Sequence, residues 1–121
     1  MNETIKTLKE LNDSITKRCR EVSKLKIEKE INEDYKKNIE AQVYKDIGFD
    51  CNDKGKPVYS NESLRDSEQR LRLAAREDYQ EVLRKIVELG SSIAELIDSI
   101  ESEKRLFRIL RDEIKLLTKE E

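Results

Sequence analysis

The chain has 121 residues, which is enough for one domain and too few for two of ordinary size. Charged residues make up 43% of it and hydrophobic residues only 36%, a balance typical either of disorder or of long helices with a narrow apolar stripe. Histidine is absent, which removes the most common general base and the most common metal ligand.

The first predicted helix covers about residues 2–47. This run lacks glycine and proline and ends before Gly48, a residue type that often terminates helices. Apolar residues recur at heptad spacing in its first half, whereas from Ile27 onward they recur every four residues. At about 100° per residue, Ile31 points away from Val22. We therefore expect this helix to have apolar contacts on two sides.

The connector between the helices is predicted at residues 48–60. Its segment Asn52-Asp53-Lys54-Gly55 has the composition of a turn, so a small β-turn with two very short strands fits here. Ser60 or Asn61 can cap the helix that follows.

The second predicted helix covers about residues 61–119, and from Tyr79 its apolar residues alternate at steps of three and four. The row consists of Tyr79, Val82, Ile86, Leu89, Ile93, Leu96, Ile100, Glu103, Phe107, Leu110, Ile114 and Leu117. Only Glu103 breaks it, so the row indicates a coiled coil and excludes disorder. Further apolar residues flank the row, and we expect more than one neighbouring helix.

Together these patterns predict an all-α fold, a long antiparallel helical hairpin with coiled-coil packing that oligomerises into a helical bundle. Residues 88–103 contain five acidic residues and no basic one, whereas residues 5–20 contain five basic residues and two acidic ones. Opposite charges therefore favour a register in which facing residue numbers add to about 108. The alternative is a straight parallel dimer with the connector looped out.

The predicted oligomer, most simply a homodimer, depends on this register. Residue 107 would lie opposite residue 1, so the end of helix 2 would have no partner within the chain. Contiguous apolar surface of this kind usually marks an interface. The predicted interface residues are Ile27, Ile31, Ile100, Phe107, Leu110, Ile114 and Leu117.

Two basic clusters raise nucleic-acid binding as the main alternative function. They are Lys17, Arg18, Arg20 and Lys24 in helix 1, and Lys104, Arg105, Arg108 and Arg111 in helix 2. Acidic residues interrupt the first cluster, and no aromatic residues interleave for base stacking. A solvated, partly paired surface is therefore the preferred interpretation.

Catalytic chemistry finds little support in the sequence, which offers no nucleophile–base pair and no glycine-rich phosphate loop. Glu30 with Glu33 and Glu95 with Asp98 resemble the carboxylate pairs by which all-helical nucleotide pyrophosphohydrolases hold magnesium. The hairpin register places the two pairs far apart. We therefore predict no catalytic residue, no cofactor and no metal site, and a magnesium-dependent hydrolase stays a third alternative.

The segment Gly55-Lys56-Pro57-Val58-Tyr59-Ser60-Asn61-Glu62, followed by Arg65, resembles the turn of small coiled-coil hairpin proteins of phages and other mobile elements. The resemblance covers the turn and the start of the second helix. It implies a helical hairpin and a phage-like origin, but no activity.

We therefore expect a non-enzymatic coiled-coil protein that binds itself and an unknown protein partner, as a scaffold, adaptor or inhibitor. An accessory factor of recombination or replication that binds nucleic acid is the alternative. No run approaches the roughly 18 apolar residues of a membrane span, and the polar amino terminus does not resemble a signal peptide. These features predict a cytoplasmic protein without membrane contact.

Cys19 and Cys51 are expected to stay unbridged. They lie 32 residues apart, and a helix over that length separates them by nearly 50 Å at about 1.5 Å per residue, against a limit of ~7 Å for a disulfide. Replacing both by Ser should leave the circular dichroism spectrum unchanged. Mass mapping of the native protein checks the prediction, and an intramolecular disulfide would contradict it.

Overall fold

The computed structural model describes residues 2–120 and consists of three α-helices that pack together. They are α1 (Asn2–Phe49), α2 (Glu62–Ala74) and α3 (Glu77–Glu120). Within the described residues the only β pairing is an isolated antiparallel bridge between Cys51 and Pro57. The all-α prediction is confirmed, and no helix in this range is long and apolar enough to cross a membrane.

Contacts divide the chain into two compact units. Unit 1 takes the described residues up to Ile27 and from Leu89 onward, and unit 2 takes Glu28–Glu88. Both α1 and α3 contribute to each unit, and each unit has a small apolar core of its own.

The core of unit 2 is built on the four-residue spacing seen in the second half of α1. Ile39, Val43 and Ile47 share one face of the helix at this spacing, and all three are buried. α2 and α3 each add one buried residue, Leu73 and Tyr79, and two half-buried side chains pack against the cluster. The predicted change of periodicity in α1 therefore corresponds to a separate core.

A break at Ala75 and Arg76 divides the predicted second helix into α2 and α3. Leu73 and Tyr79 are six residues apart, so a continuous helix would point them about 120° away from each other. Both are buried in the same cluster. The break lets both side chains enter this core. Arg76, one of the two residues of the break, forms a two-point ion pair with Asp78 at 2.7 and 3.0 Å.

Glu40 of α1 accepts hydrogen bonds from both sides of this break. The side chain of Gln69 donates to its carbonyl oxygen at 3.0 Å, and the Tyr79 hydroxyl donates to its Oε2 at 3.0 Å. α2 therefore keeps the predicted register, which pairs residue 40 with residue 68. α3 begins beside the same residue of α1, so its pairing with α1 is shifted by about ten residues from the predicted register.

Unit 1 has the same offset, so the register predicted from charge is wrong for α3. Glu103 bonds Ser14 and Arg18 rather than lying opposite residue 5. Phe107 lines a groove with Leu8 instead of facing residue 1. The end of α3 therefore has partners within the chain, which removes the overhang expected from the sequence.

The connector forms the predicted turn. The Asn52 side chain accepts hydrogen bonds from the N–H groups of Lys54 and Lys56 at 2.9 and 3.1 Å, and Gly55 has a φ of 75°. That value lies in the left-handed region that glycine adopts without steric cost. Asn61 caps α2 by accepting from the Leu64 N–H at 2.9 Å, as predicted for one of the two candidate caps.

Arg72 of α2 holds the connector against the helices. Its guanidinium group pairs with Asp50 at the end of α1 and with Glu68 one turn earlier, and it lies 5.8 Å from the centre of the Tyr59 ring. These hydrogen bonds, those to Asp50 first, raise the pKa of Arg72 above its already high ordinary value. The group therefore stays charged at any physiological pH.

The Tyr79–Glu40 bond should make stability fall at alkaline pH. Burial, and then the bond to Glu40, raise the pKa of the Tyr79 phenol above its ordinary value of 10.0. An acid with a raised folded-state pKa stabilises the fold below its unfolded pKa, and this contribution is lost as pH rises through the folded value. Tyr79→Phe should cost about 1 kcal/mol at pH 7 and flatten the loss of stability above pH 10.

Urea unfolding between pH 7 and 11 measures both effects, with Tyr35→Phe as the control because Tyr35 is exposed. Equal pH profiles for the Tyr79→Phe variant and the unmodified protein would show that the bond does not contribute.

Candidate interaction surfaces

The core of unit 1 uses the predicted heptad positions of α1 and α3. Val22, Ile93 and Ile100 are buried, and side chains from both helices pack around them. Ile100 was predicted at an oligomer interface. Its side chain is instead enclosed by residues of the same chain, so it is not accessible to a second copy.

A polar cluster interrupts this core at Glu103. The Ser14 hydroxyl donates to Glu103 Oε1 at 3.0 Å, and Arg18 Nε lies 2.9 Å from the same oxygen. Glu103 Oε2 is buried and has no hydrogen-bond partner among the described residues. The sequence predicted Glu103 as the one charged residue of its core row, but the predicted register did not bring it beside Arg18.

The end of α3 carries a second heptad row, which we call the exposed seam. It consists of Leu106, Ile109, Glu113 and Leu116, spaced three, four and three residues apart. Its apolar members are 44%, 57% and 63% exposed. The seam is turned roughly 100° around the helix from the core row. This part of α3 therefore has one apolar face inside unit 1 and another facing solvent.

The other predicted interface residues have mixed surroundings. Phe107, Leu110 and Ile114 are half-buried in unit 1, and Leu117 is about half exposed. The sequence predicted apolar residues beside the heptad row, but not that those near the end of α3 form a row of their own. A second row one residue out of step with Phe107 is the signal that identifies it.

Ile27 and Ile31 of α1 are both largely exposed. Neither side chain belongs to the apolar cluster of its unit. They therefore stay candidates for contact with another molecule.

The basic cluster of α1 is divided by the fold. Lys17, Arg20 and Lys24 are exposed, whereas Arg18 turns toward Glu103. Lys6 and Lys9 continue the exposed residues toward the amino terminus at the same three- or four-residue spacing. We call Lys6, Lys9, Lys17, Arg20 and Lys24 the basic row.

The basic cluster of α3 is likewise divided. Lys104 and Arg108 line an open groove of about 530 Å³, whose other lining residues are Asn12, Ile15, Glu101 and Phe107. Arg105 is exposed, and Arg111 lies 3.6 Å from the carboxylate of Asp112. The groove combines two cations with a carboxylate and an apolar floor.

The two carboxylate pairs considered for magnesium lie in different units. Glu30 and Glu33 belong to unit 2, where Glu33 pairs with Lys29 at 3.8 Å. Glu95 and Asp98 belong to unit 1. Over residues 2–120, no three or more His, Cys, Asp or Glu side chains are grouped closely enough to hold a metal ion. Cys19 and Cys51 are unpaired and exposed.

Comparisons with protein-family models, with curated proteins and with solved structures find no match for this chain. What the protein does is therefore inferred from its own surfaces. Two of these surfaces, the exposed seam and the basic row, are left open by the internal contacts of unit 1.

The Arg18–Glu103 pair should behave as a coupled unit. Arg18→Leu leaves the partly buried Glu103 carboxylate without its cation and should cost about 1–3 kcal/mol of stability. Changing Arg18 and Glu103 together to Leu removes both charges and should cost less than the single change. Urea unfolding of the two single variants and the double variant measures the coupling.

Arg20→Leu is the matched control for this cycle, because Arg20 is exposed and forms no ion pair among the described residues. Additive effects of Arg18→Leu and Glu103→Leu on the free energy of unfolding would show that the pair does not act together.

Proposed function

We propose that the protein is a non-enzymatic helical hairpin that associates with itself through the exposed seam and acts by binding other proteins, as a scaffold, adaptor or inhibitor. The observation that carries this proposal is the seam itself. Its three apolar side chains lie on one face of α3, and each is about half exposed or more. A helix with two apolar rows is typical of helices that contact two neighbours.

The order of contacts in unit 1 supports the hairpin. Phe107 lies beside Leu8, whereas Ile93 shares a cluster with Val22. Positions along α1 therefore rise as their partners along α3 fall, which is the pattern of antiparallel helices. The resemblance of Gly55–Arg65 to hairpin proteins of phages belongs to the same proposal.

Self-association is the preferred use of the seam because it follows from the heptad spacing. Rows at this spacing pack against identical rows in coiled coils, by knobs entering holes. Two copies would bring six apolar side chains together, and full burial of a Leu or Ile contributes roughly 1.5–3 kcal/mol relative to full exposure. Because each side chain is already partly covered, the gain is a fraction of that sum. An assembly that forms at micromolar concentration is the expectation.

Protein contact is also preferred over hydrolysis. The hydrolase alternative needs carboxylates grouped at one metal site, and over residues 2–120 no three or more His, Cys, Asp or Glu side chains are grouped in this way. The exposed seam, in contrast, needs no residue beyond those of one helix.

Charging the seam should dissociate the assembly. Ile109→Glu with Leu116→Glu places two carboxylates on the apolar face, whose burial against a second copy would carry a large desolvation cost. Light scattering at micromolar concentration should show the unmodified protein above 14.3 kDa and the variant at that mass. Circular dichroism should show equal helix content, because both positions face solvent in the single chain.

Leu71→Glu with Val87→Glu is the matched control, since these residues are 67% and 68% exposed and lie outside the seam. The control should keep the mass of the unmodified protein. An unmodified protein of 14.3 kDa, or equal dissociation of both double variants, would contradict the proposal.

A further inference from the structure

The basic row follows one face of α1 over most of unit 1. Its five cations lie within about 80° of the helix circumference and span about 27 Å, at 1.5 Å per residue. Asp13 is the one acidic residue at the same spacing between Lys6 and Lys24. All five cationic residues are exposed, and none forms an ion pair with another described residue.

We propose that the basic row binds the phosphate backbone of duplex nucleic acid without regard to base sequence. This site is independent of the exposed seam, because it lies on a different helix and shares no residue with it. It also differs from the cluster expected from the sequence, since Arg18 is replaced by Lys6 and Lys9.

The composition of the row favours a polyanion over a protein surface. The centre of a protein interface is depleted in charged residues and enriched in aromatic and large apolar ones. At the three- and four-residue steps from Lys6 to Lys24, the row has no apolar side chain. Phosphate contact requires only that cations be exposed along the path of the backbone.

A membrane surface is the less suitable polyanion. Helices that lie in the membrane interface insert an apolar face among the lipids. In unit 1 the apolar face of α1 is covered by α3, through the cluster that contains Val22 and Ile93. Between Lys6 and Lys24 the exposed face of α1 carries no large apolar side chain, and its row of cations suits the dense, regular charge of a duplex.

The absence of aromatic side chains from the row favours duplex over single-stranded nucleic acid. Single-strand sites combine cations with aromatic side chains on which bases stack. From Lys6 to Lys24 the chain has no aromatic residue. Binding should therefore come from phosphate contacts alone and depend steeply on salt, with a log–log slope of up to about −4.5 for five contacts with B-DNA.

Fluorescence anisotropy with a labelled 20-base-pair DNA duplex tests the proposal. The full chain is titrated between 50 and 200 mM salt, alongside a variant in which Lys6, Lys9, Lys17, Arg20 and Lys24 are all changed to Gln. We expect the variant to bind at least about tenfold more weakly at 50 mM salt and to have a much shallower salt slope. Circular dichroism should show the same helix content, since Gln is a good helix former.

The matched control changes five exposed basic residues of unit 2 to Gln, so that net charge falls equally. These are Lys37, Lys54, Lys56, Arg70 and Arg84. The control should keep its affinity within about threefold, because the charges it removes lie outside the basic row and exposed charges are screened over a Debye length of about 10 Å. An equal loss of affinity in both variants would show that binding depends only on net charge, and it would overturn the proposal.

Two further arms complete the test. A single strand of the same sequence should bind more weakly than the duplex, because its charge density is lower. Vesicles of 70% phosphatidylcholine and 30% phosphatidylserine should bind weakly or not at all. An unmodified protein that binds vesicles but not the duplex would overturn the proposal in favour of a membrane surface.

Discussion

The register of this protein depends on Glu40, where two helices meet the same residue of α1. Gln69 of α2 bonds its backbone and Tyr79 of α3 bonds its side chain, although ten residues separate the two donors. This is possible only because the chain leaves helical geometry at Ala75 and Arg76. The break lets α3 begin again beside the residue that α2 has already reached.

The competition between charge and apolar packing explains why the sequence predicted a different register. Matching the acidic stretch of α3 with the basic stretch of α1 would form exposed ion pairs, each worth at most about 1 kcal/mol. Burying a large apolar side chain contributes roughly 1.5–3 kcal/mol. Because Leu73 and Tyr79 can enter one core only after a break, packing determines the register. Most of the opposite charges are left in solvent.

Local features of the fold could be read from the sequence because they depend on neighbouring residues. The long α1, the turn around Gly55 and the cap at Asn61 each follow from residue type and spacing. The break could not be read in this way, since neither glycine nor proline marks it. Its cause is the arrangement of side chains that are distant in sequence.

In the candidate surfaces, too, some features follow from neighbouring residues and others depend on residues that are distant in sequence. The position of Lys17, Arg20 and Lys24 on one face of α1 follows from helical periodicity alone. The separation of Arg18 from them depends on Glu103, which is a distant partner. Likewise, the exposed seam can be recognised from spacing, but its availability depends on which face of α3 the rest of unit 1 covers. Helical periodicity thus predicts which residues share a face, and contacts with other helices decide whether that face is exposed.

In unit 1 the two helices offer different surfaces. The end of α3 exposes an apolar row, and α1 exposes a row of cations. Each row lies beside a face that is buried in the core of unit 1. A binding partner can therefore reach either row without separating the two helices. Self-association through α3 would leave the cations of α1 free, and two copies would then present two basic rows to one ligand.

Heptad repeats allow several registers that match apolar rows equally well, and the polar cluster of unit 1 distinguishes one register from the others. Sliding α3 along α1 by seven residues would again match apolar rows with apolar rows, at little cost in packing. Such a slide would separate Arg18 from Glu103 and leave the partly buried Glu103 carboxylate without its cation, which should cost about 1–3 kcal/mol. We infer that a single charged pair in the core selects this register over neighbours that apolar packing alone would not distinguish.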